Sequence, residues 1–138
     1  MQKLIFKEPV YTYHIDFVGH VNNIIYVQWL ENARVKLIEA MGLNISKLSH
    51  EDNILPIITE TNIRYKKPFF LSDKVTVEVW VSAIFNVSAN FKFRFLNQKE
   101  EECCTAQQKV LFIDNTTQKP SRKIVKYKAA FEKFYIPE

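Results

Sequence analysis

The sequence predicts an α+β domain in which one long helix lies in the concave face of a curved antiparallel sheet of about five strands. Three observations carry that prediction. Between residues 23 and 41, Tyr26, Leu30, Ala33 and Leu37 recur at helical spacing, flanked by Ile24, Val27, Val35, Ile38 and Met41. In "VTVEVWVSAIF", Val75, Val77, Val79 and Val81 share one face. In "NFKFRF", Phe91, Phe93 and Phe95 share one face, with Asn90, Lys92 and Arg94 on the other.

The elements follow in order. A first strand runs from about Leu4 to Tyr13. Next comes "HIDFVGHVNNIIYVQWLENAR", His14 to Arg34, which holds Gly19, one of only two glycines in the chain. Average usage of about 7% would give roughly ten, so each marks a backbone position that other residues fit poorly. Gly42 reads as the left-handed residue that ends the helix. Gly19 reads as a tight turn just before the helix, where Asn22 or Asn23 caps the free N–H groups. A helix of roughly 19 residues is about 28 Å long, and one with so wide an apolar face needs cover on most sides. The rest is strand: "LPIITETNIRYKK", then the two alternating stretches, then "CCTAQQKVLFID". Turns at Asn86 and at "NQKEEE" make consecutive strands antiparallel neighbours.

Composition narrows the class. With 138 residues, of which 47% are hydrophobic and 14% aromatic, the chain suits a single domain, 1–138, with a real core. No internal repeat or low-complexity linker divides it. The N-terminus lacks an uninterrupted apolar region, and the most apolar long segment contains Gln28, Glu31, Arg34, Lys36 and Glu39. A soluble, cytoplasmic protein with no membrane span is expected. Cys103 and Cys104 are adjacent on a strand, poor geometry for a mutual disulfide, which fits a reducing compartment. The net charge of +4 is concentrated in "RYKK" (Arg64 to Lys67) and "KPSRKIVKYK" (Lys119 to Lys128). Such clusters either meet an anionic partner or form a solvated basic surface.

The pattern D-x-x-G-H-V-x-N-x-x-Y-x-x-W-x-E-x-x-R is met by Asp16, Gly19, His20, Val21, Asn23, Tyr26, Trp29, Glu31 and Arg34. With the strand pattern, it resembles the 4-hydroxybenzoyl-CoA thioesterase family of hotdog-fold proteins over nearly the whole chain. The resemblance implies hydrolysis of an acyl-CoA or acyl-carrier-protein thioester, with neither cofactor nor metal. It also implies a homodimer, often paired into a homotetramer, with sites at the dimer interface and no nucleic-acid partner. In that family the backbone N–H seven residues after the aspartate meets the thioester carbonyl, which here falls on Asn23. Asp16 is then the nucleophile or general base. Helix N-terminal N–H groups suit the tetrahedral oxyanion, and Gly19 lets the chain turn tightly where the substrate approaches. The leaving thiol, with a pKa near 8.5 if it behaves like free cysteine, needs no strong acid.

Each residue has a plainer reading as well. Asp16 also suits a turn or cap. His20 is a turn residue that can take part in the site, and His14 and His20 lack a recognised metal-ligand spacing. Cys103 and Cys104 have no histidine near in sequence, so buried packing suits them better than a nucleophile's role. Glu31 either orients a water or a neighbouring side chain, or is a surface glutamate. Tyr26 and Trp29 line the acyl pocket or pack the core, the latter favoured for at least one of them. Arg122 and Lys123, near the stiffening Pro120, are the first choice for the phosphates of coenzyme A, with "RYKK" second. A non-catalytic acyl-CoA-binding protein and a hotdog dehydratase or hydratase are the competing readings. The acyl group depends on how Ile57, Ile58, Phe69, Phe85 and Phe91 meet across the dimer.

Overall fold

A computed structural model describes residues 2–137. Five strands form one antiparallel sheet: β1 (Leu4–Glu8), β2 (Ile54–Tyr65), β3 (Val75–Ile84), β4 (Ser88–Leu96) and β5 (Glu102–Asp114), in the order β1-β3-β4-β5-β2. β3, β4 and β5 are the meander expected from their turns, in register at Val79↔Phe93 and Phe93↔Ala106. β1 is shorter than the sequence suggested. The chain leaves the sheet at Pro9, which has no N–H to give to a ladder, and residues Thr12–His14 form a 3-10 turn instead.

Register shifts between Ile58 and Glu60, Val81 and Ala83, and Phe95 and Leu96 interrupt the ladders. Such irregularities bend and twist strands, so the sheet curls as a helix-wrapping sheet must. Cys103 is the extra residue at the third shift, and both cysteine side chains are buried.

Helix α1 (Asn23–Ala40) lies against the inner face. Asn22 caps it, its Oδ1 accepting the Ile24 N–H at 3.1 Å, and Gly42 leaves it with φ +85°. Tyr26, Leu30, Ala33 and Leu37 are buried as their spacing requires, and Trp29 meets the rings of Phe95 and Phe69, each at 5.9 Å. The opposite side of the helix is uncovered, with Ile24 64% and Val27 50% exposed. Arg34 is buried among these apolar neighbours, which would be costly for an unpaired charge. Its guanidinium donates to Gln108 Oε1 at 2.9 Å and pairs with Glu31, while Gln108 Nε2 donates to Thr61 Oγ1 at 3.2 Å. This chain of polar contacts fixes the helix to β5 and β2.

Two short helical segments go beyond the elements expected from the sequence. α2 (Ile45–Glu51) begins at Asn44, whose Oδ1 accepts the Lys47 N–H. A 3-10 turn (Arg122–Tyr127), capped by Ser121, leads into α3 (Lys128–Glu132), where Phe131 packs edge-on to Phe112 with ring centres 5.6 Å apart. No helix among the described residues is long and apolar enough to cross a membrane.

Candidate active site

The loop between β1 and α1 is tied at several points. His14 Nδ1 accepts the Tyr11 N–H at 3.0 Å, and the His14 carbonyl accepts the Asn22 N–H at 2.8 Å. The His14 ring is buried and edge-on to Trp29, and burial holds its pKa down. With Nδ1 accepting, the ring is the neutral Nε2–H tautomer, a pin for the loop rather than a free base. Further along, the Asp16 N–H donates to the His20 carbonyl at 2.9 Å, the Gly19 N–H to the Asp16 carbonyl at 3.0 Å, and the Val21 N–H to the Phe69 carbonyl at 2.9 Å. The segment Asp16 to Gly19 is therefore a closed turn.

Gly19 has φ +91°, and a Cβ added there would meet no atom within 4 Å. The glycine is required by backbone conformation, not by crowding within the chain. Asp16 is half-buried, with Oδ1 accepting the Val18 N–H at 2.9 Å.

The N–H groups at the start of α1 can be accounted for one by one. That of Asn22 goes to the His14 carbonyl, that of Ile24 to Asn22 Oδ1, and that of Ile25 to the Asn22 carbonyl at 2.9 Å. The Asn23 N–H has no acceptor among the described residues. It stands at a cleft lined by His20, Val21, Asn23, Tyr26, Tyr65, Lys66, Lys67 and Pro68. An unused donor at the positive end of a helix is suited to receive negative charge.

The walls of the cleft come from three elements. His20 lies edge-on to Phe70, with ring centres 5.1 Å apart. The end of β2 contributes Tyr65, whose hydroxyl donates to the Asn23 carbonyl at 3.4 Å and whose ring meets Tyr26 edge-on at 5.0 Å. Burial pushes both phenols upward in pKa, so both stay protonated at neutral pH. Lys66 pairs with Glu102, and Lys67 with Glu101. The hydrogen bond to Glu101 raises the Lys67 pKa, and both partner carboxyls are held below their ordinary range chiefly by these lysines.

His20, Asn23 and Tyr26 thus meet in one place. Asp16 joins them through its backbone bond to His20 but does not line the cleft within one chain. Trp29 and Glu31 belong to a neighbouring depression with Glu8, Tyr11, Tyr13, His14, Gln28 and Asn32. Trp29 is buried there, and Glu31 serves as the partner of Arg34.

Arg122 and Lys123 lie beyond the far end of the sheet. Lys123 pairs with Asp114 at 3.2 Å, and Asp114 opposes Ile54 at the start of β2, whereas the cleft is at Tyr65. The intervening strand spans roughly 36 Å at about 3.3 Å per residue. Of the residues expected to shape an acyl pocket, Phe69 and Phe91 are buried, Ile58 is half-buried, and Ile57 and Phe85 are exposed. They are not gathered within one chain.

Cys103 and Cys104 are buried, and burial pushes the Cys104 thiol up to about 12 and Cys103 upward as well. Neither offers a thiolate near neutrality. Among the described residues, no group of three His, Cys, Asp or Glu is placed to hold a metal ion. The sequence places Tyr65 in a strand and in a basic run but not in the site. Its signal was an aromatic closing a strand directly before two lysines and a proline.

Residues 10–131 match the family model described as the thioesterase-like superfamily. YneP of Bacillus subtilis is 24% identical over 116 residues, covering 84% of this chain and 80% of its own length. The long-chain acyl-CoA thioesterase FadM of Escherichia coli is 37% identical over 65 residues, 47% of this chain and 48% of FadM. The structure of the DHNA-CoA thioesterase of Staphylococcus aureus superposes with a TM-score of 0.87 at 26% identity, covering 96% of this chain and 91% of that one.

Proposed function

The chain belongs to the thioesterase-like superfamily and is a hotdog-fold thioesterase, and on that premise we propose that it hydrolyses an acyl-CoA or acyl-carrier-protein thioester at the start of α1. The observation that carries this reading is the Asn23 N–H, which has no acceptor among the described residues and belongs to a residue lining the cleft. The thioester carbonyl oxygen accepts from it, and the bond strengthens as that oxygen becomes anionic. Asp16 attacks the acyl carbon or draws a proton from water. Its carboxylate spends only one oxygen on the Val18 N–H, which leaves the other for chemistry. His20 and Tyr26 bound the reacting group, and Glu31 steadies the helix through Arg34.

A second copy completes the site in this reading. β2 is a twelve-residue edge strand whose outer side is unpaired, and long open edges invite another strand. The exposed Phe17, Val18, Ile24 and Val27 lie on the loop and helix beside the cleft and want cover as well. Antiparallel pairing of β2 with its equivalent reverses one copy against the other. The Arg122–Lys123 segment of the second copy then approaches the Tyr65 end, where Lys66 and Lys67 already stand, and these cations meet the phosphates of coenzyme A.

Thiol release from a panel of aromatic, short and long acyl-CoA and acyl-carrier-protein substrates tests the proposal. Turnover with at least one class is expected. Saturable binding of the whole panel without thiol release would make the chain a binding protein.

A further inference from the structure

A tetrahedral oxyanion is held best by more than one donor, and backbone N–H groups and tyrosine hydroxyls both serve. The Asn23 N–H is a single donor. The first turn of α1 has no second one to add, because the N–H groups of Asn22, Ile24 and Ile25 are spent within the chain. A further donor has to come from a side chain of the cleft. There Lys66 and Lys67 are paired with Glu102 and Glu101, and Tyr26 is only 2% exposed. Tyr65 differs from all three. It is 45% exposed, and its hydroxyl donates to the carbonyl of Asn23, the residue whose own N–H has no acceptor among the described residues.

Three features prepare this hydroxyl. The chain just after Tyr65 is fixed, since the N–H groups of Lys66 and Lys67 both donate to the Cys103 carbonyl, at 2.9 and 3.0 Å. The Tyr65 ring stands edge-on to Tyr26, with centres 5.0 Å apart. Burial raises the phenol pKa, so the proton is present throughout the neutral range. At 3.4 Å its bond to the Asn23 carbonyl is longer than the roughly 2.5–3.0 Å of a good O–H···O contact. The proton is readily redirected to an oxygen that becomes anionic, where a charge-assisted bond is shorter and about twice as strong. We propose that Tyr65 is a further catalytic residue, its hydroxyl the second donor to the thioester oxygen beside the Asn23 N–H. The inference rests on the thioesterase reading of the cleft and adds a residue to it.

Steady-state thiol release tests it, on the acyl thioester that the wild type turns over fastest, with Tyr65→Phe and with 3-fluorotyrosine placed at position 65. Tyr65→Phe should lower kcat by roughly 10²-fold, the low end for loss of one oxyanion donor. KM and the melting temperature should hold, because the ring and its packing remain. The fluorinated phenol keeps its donor, so it should restore most of kcat and bring the alkaline fall in kcat to a lower pH, as that phenol ionises earlier. A tyrosine that only packs moves neither. A kcat within about two-fold of wild type in folded Tyr65→Phe, or a loss confined to KM, overturns the proposal and leaves the thioesterase reading in place. Absence of thiol release by the wild type from every substrate class overturns both.

Discussion

At the Ile54 and Asp114 end of the sheet, carboxylates are matched to partners. Asp52 accepts from Lys126 and from the Tyr127 hydroxyl, and Asp114 holds Lys123, the N–H groups of Thr116 and Thr117, and the Asn53 amide. At the Tyr65 and Glu8 end, Glu101 and Glu102 are also matched, to Lys67 and Lys66, and the loop into α1 is firmly tied by its backbone, yet among the described residues the Asn23 N–H has no acceptor, and Phe17 is fully exposed. One end uses its polar groups to close the fold. The other uses backbone bonds to hold polar groups open, the arrangement that the proposed thioester site requires.

The largest expected effect breaks the open end. Asp16→Asn keeps an oxygen for the Val18 N–H, so the turn and the melting temperature should survive. Turnover should fall by roughly 10²-fold or more, the low end of general-base contributions. Steady-state kinetics with a calorimetric melt decides this, and near-normal turnover in the folded variant would falsify the role given to Asp16.

The two glycines offer a matched pair, since both have positive φ and open space for a Cβ. Gly42→Ala strains the helix exit by about 1–2 kcal/mol and should lower the melting temperature by a few degrees with normal kcat per folded molecule. Gly19→Val carries at least the same backbone strain and should in addition reduce kcat per folded molecule. If the two behave alike, the ends do not differ in the way argued.

A smaller effect is expected from the cations. Lys66→Ala with Lys67→Ala should raise KM for acyl-CoA several-fold and leave kcat largely intact, since such contacts serve ground and transition states alike. Arg122→Ala with Lys123→Ala should do the same through the second copy, and both effects should shrink at high salt. Light scattering beside the kinetics checks the premise, for an active monomer would leave only the first pair its role.

The smallest effect sharpens the closed end. Asp52 is held below its ordinary range first by Lys126 and then by Tyr127, and Asp114 by the Thr117 N–H and Lys123. A carboxylate with a lowered folded pKa contributes stability above its unfolded value near 3.9, lost as pH falls through the folded value. Melting temperature should therefore decline below about pH 4, and the decline should be shallower in Asp52→Asn.

The strands and α1 were legible because burial enforces period: Val75 to Val81 and Phe91 to Phe95 had to alternate, and Tyr26, Leu30, Ala33 and Leu37 had to share a stripe. The turn at Gly19 was legible because few residues tolerate its φ. α2 and α3 were not, since α2 rests on a single cap, Asn44, α3 merely continues a 3-10 turn capped by Ser121, and each depends on packing by one or two residues such as Leu48 and Phe131. β1 ends at Glu8 rather than at Tyr13 because Pro9 has no N–H to give to the ladder. The long-range pairs, Arg34 with Gln108 and Lys123 with Asp114, depend on which strands become neighbours, and that is decided by the whole sheet.

The two cysteines have a practical consequence at the bench. Both are buried, and the Cys104 thiol is pushed up to about 12, so a disulfide reagent in solution finds almost no thiolate on the folded protein near neutral pH. A colorimetric assay of released coenzyme A can then be run with the enzyme at high concentration, since the signal belongs to product alone. The same silence makes the pair a stopwatch: when the sheet opens, two thiols become reactive at once, and their labelling rate counts excursions out of the native state.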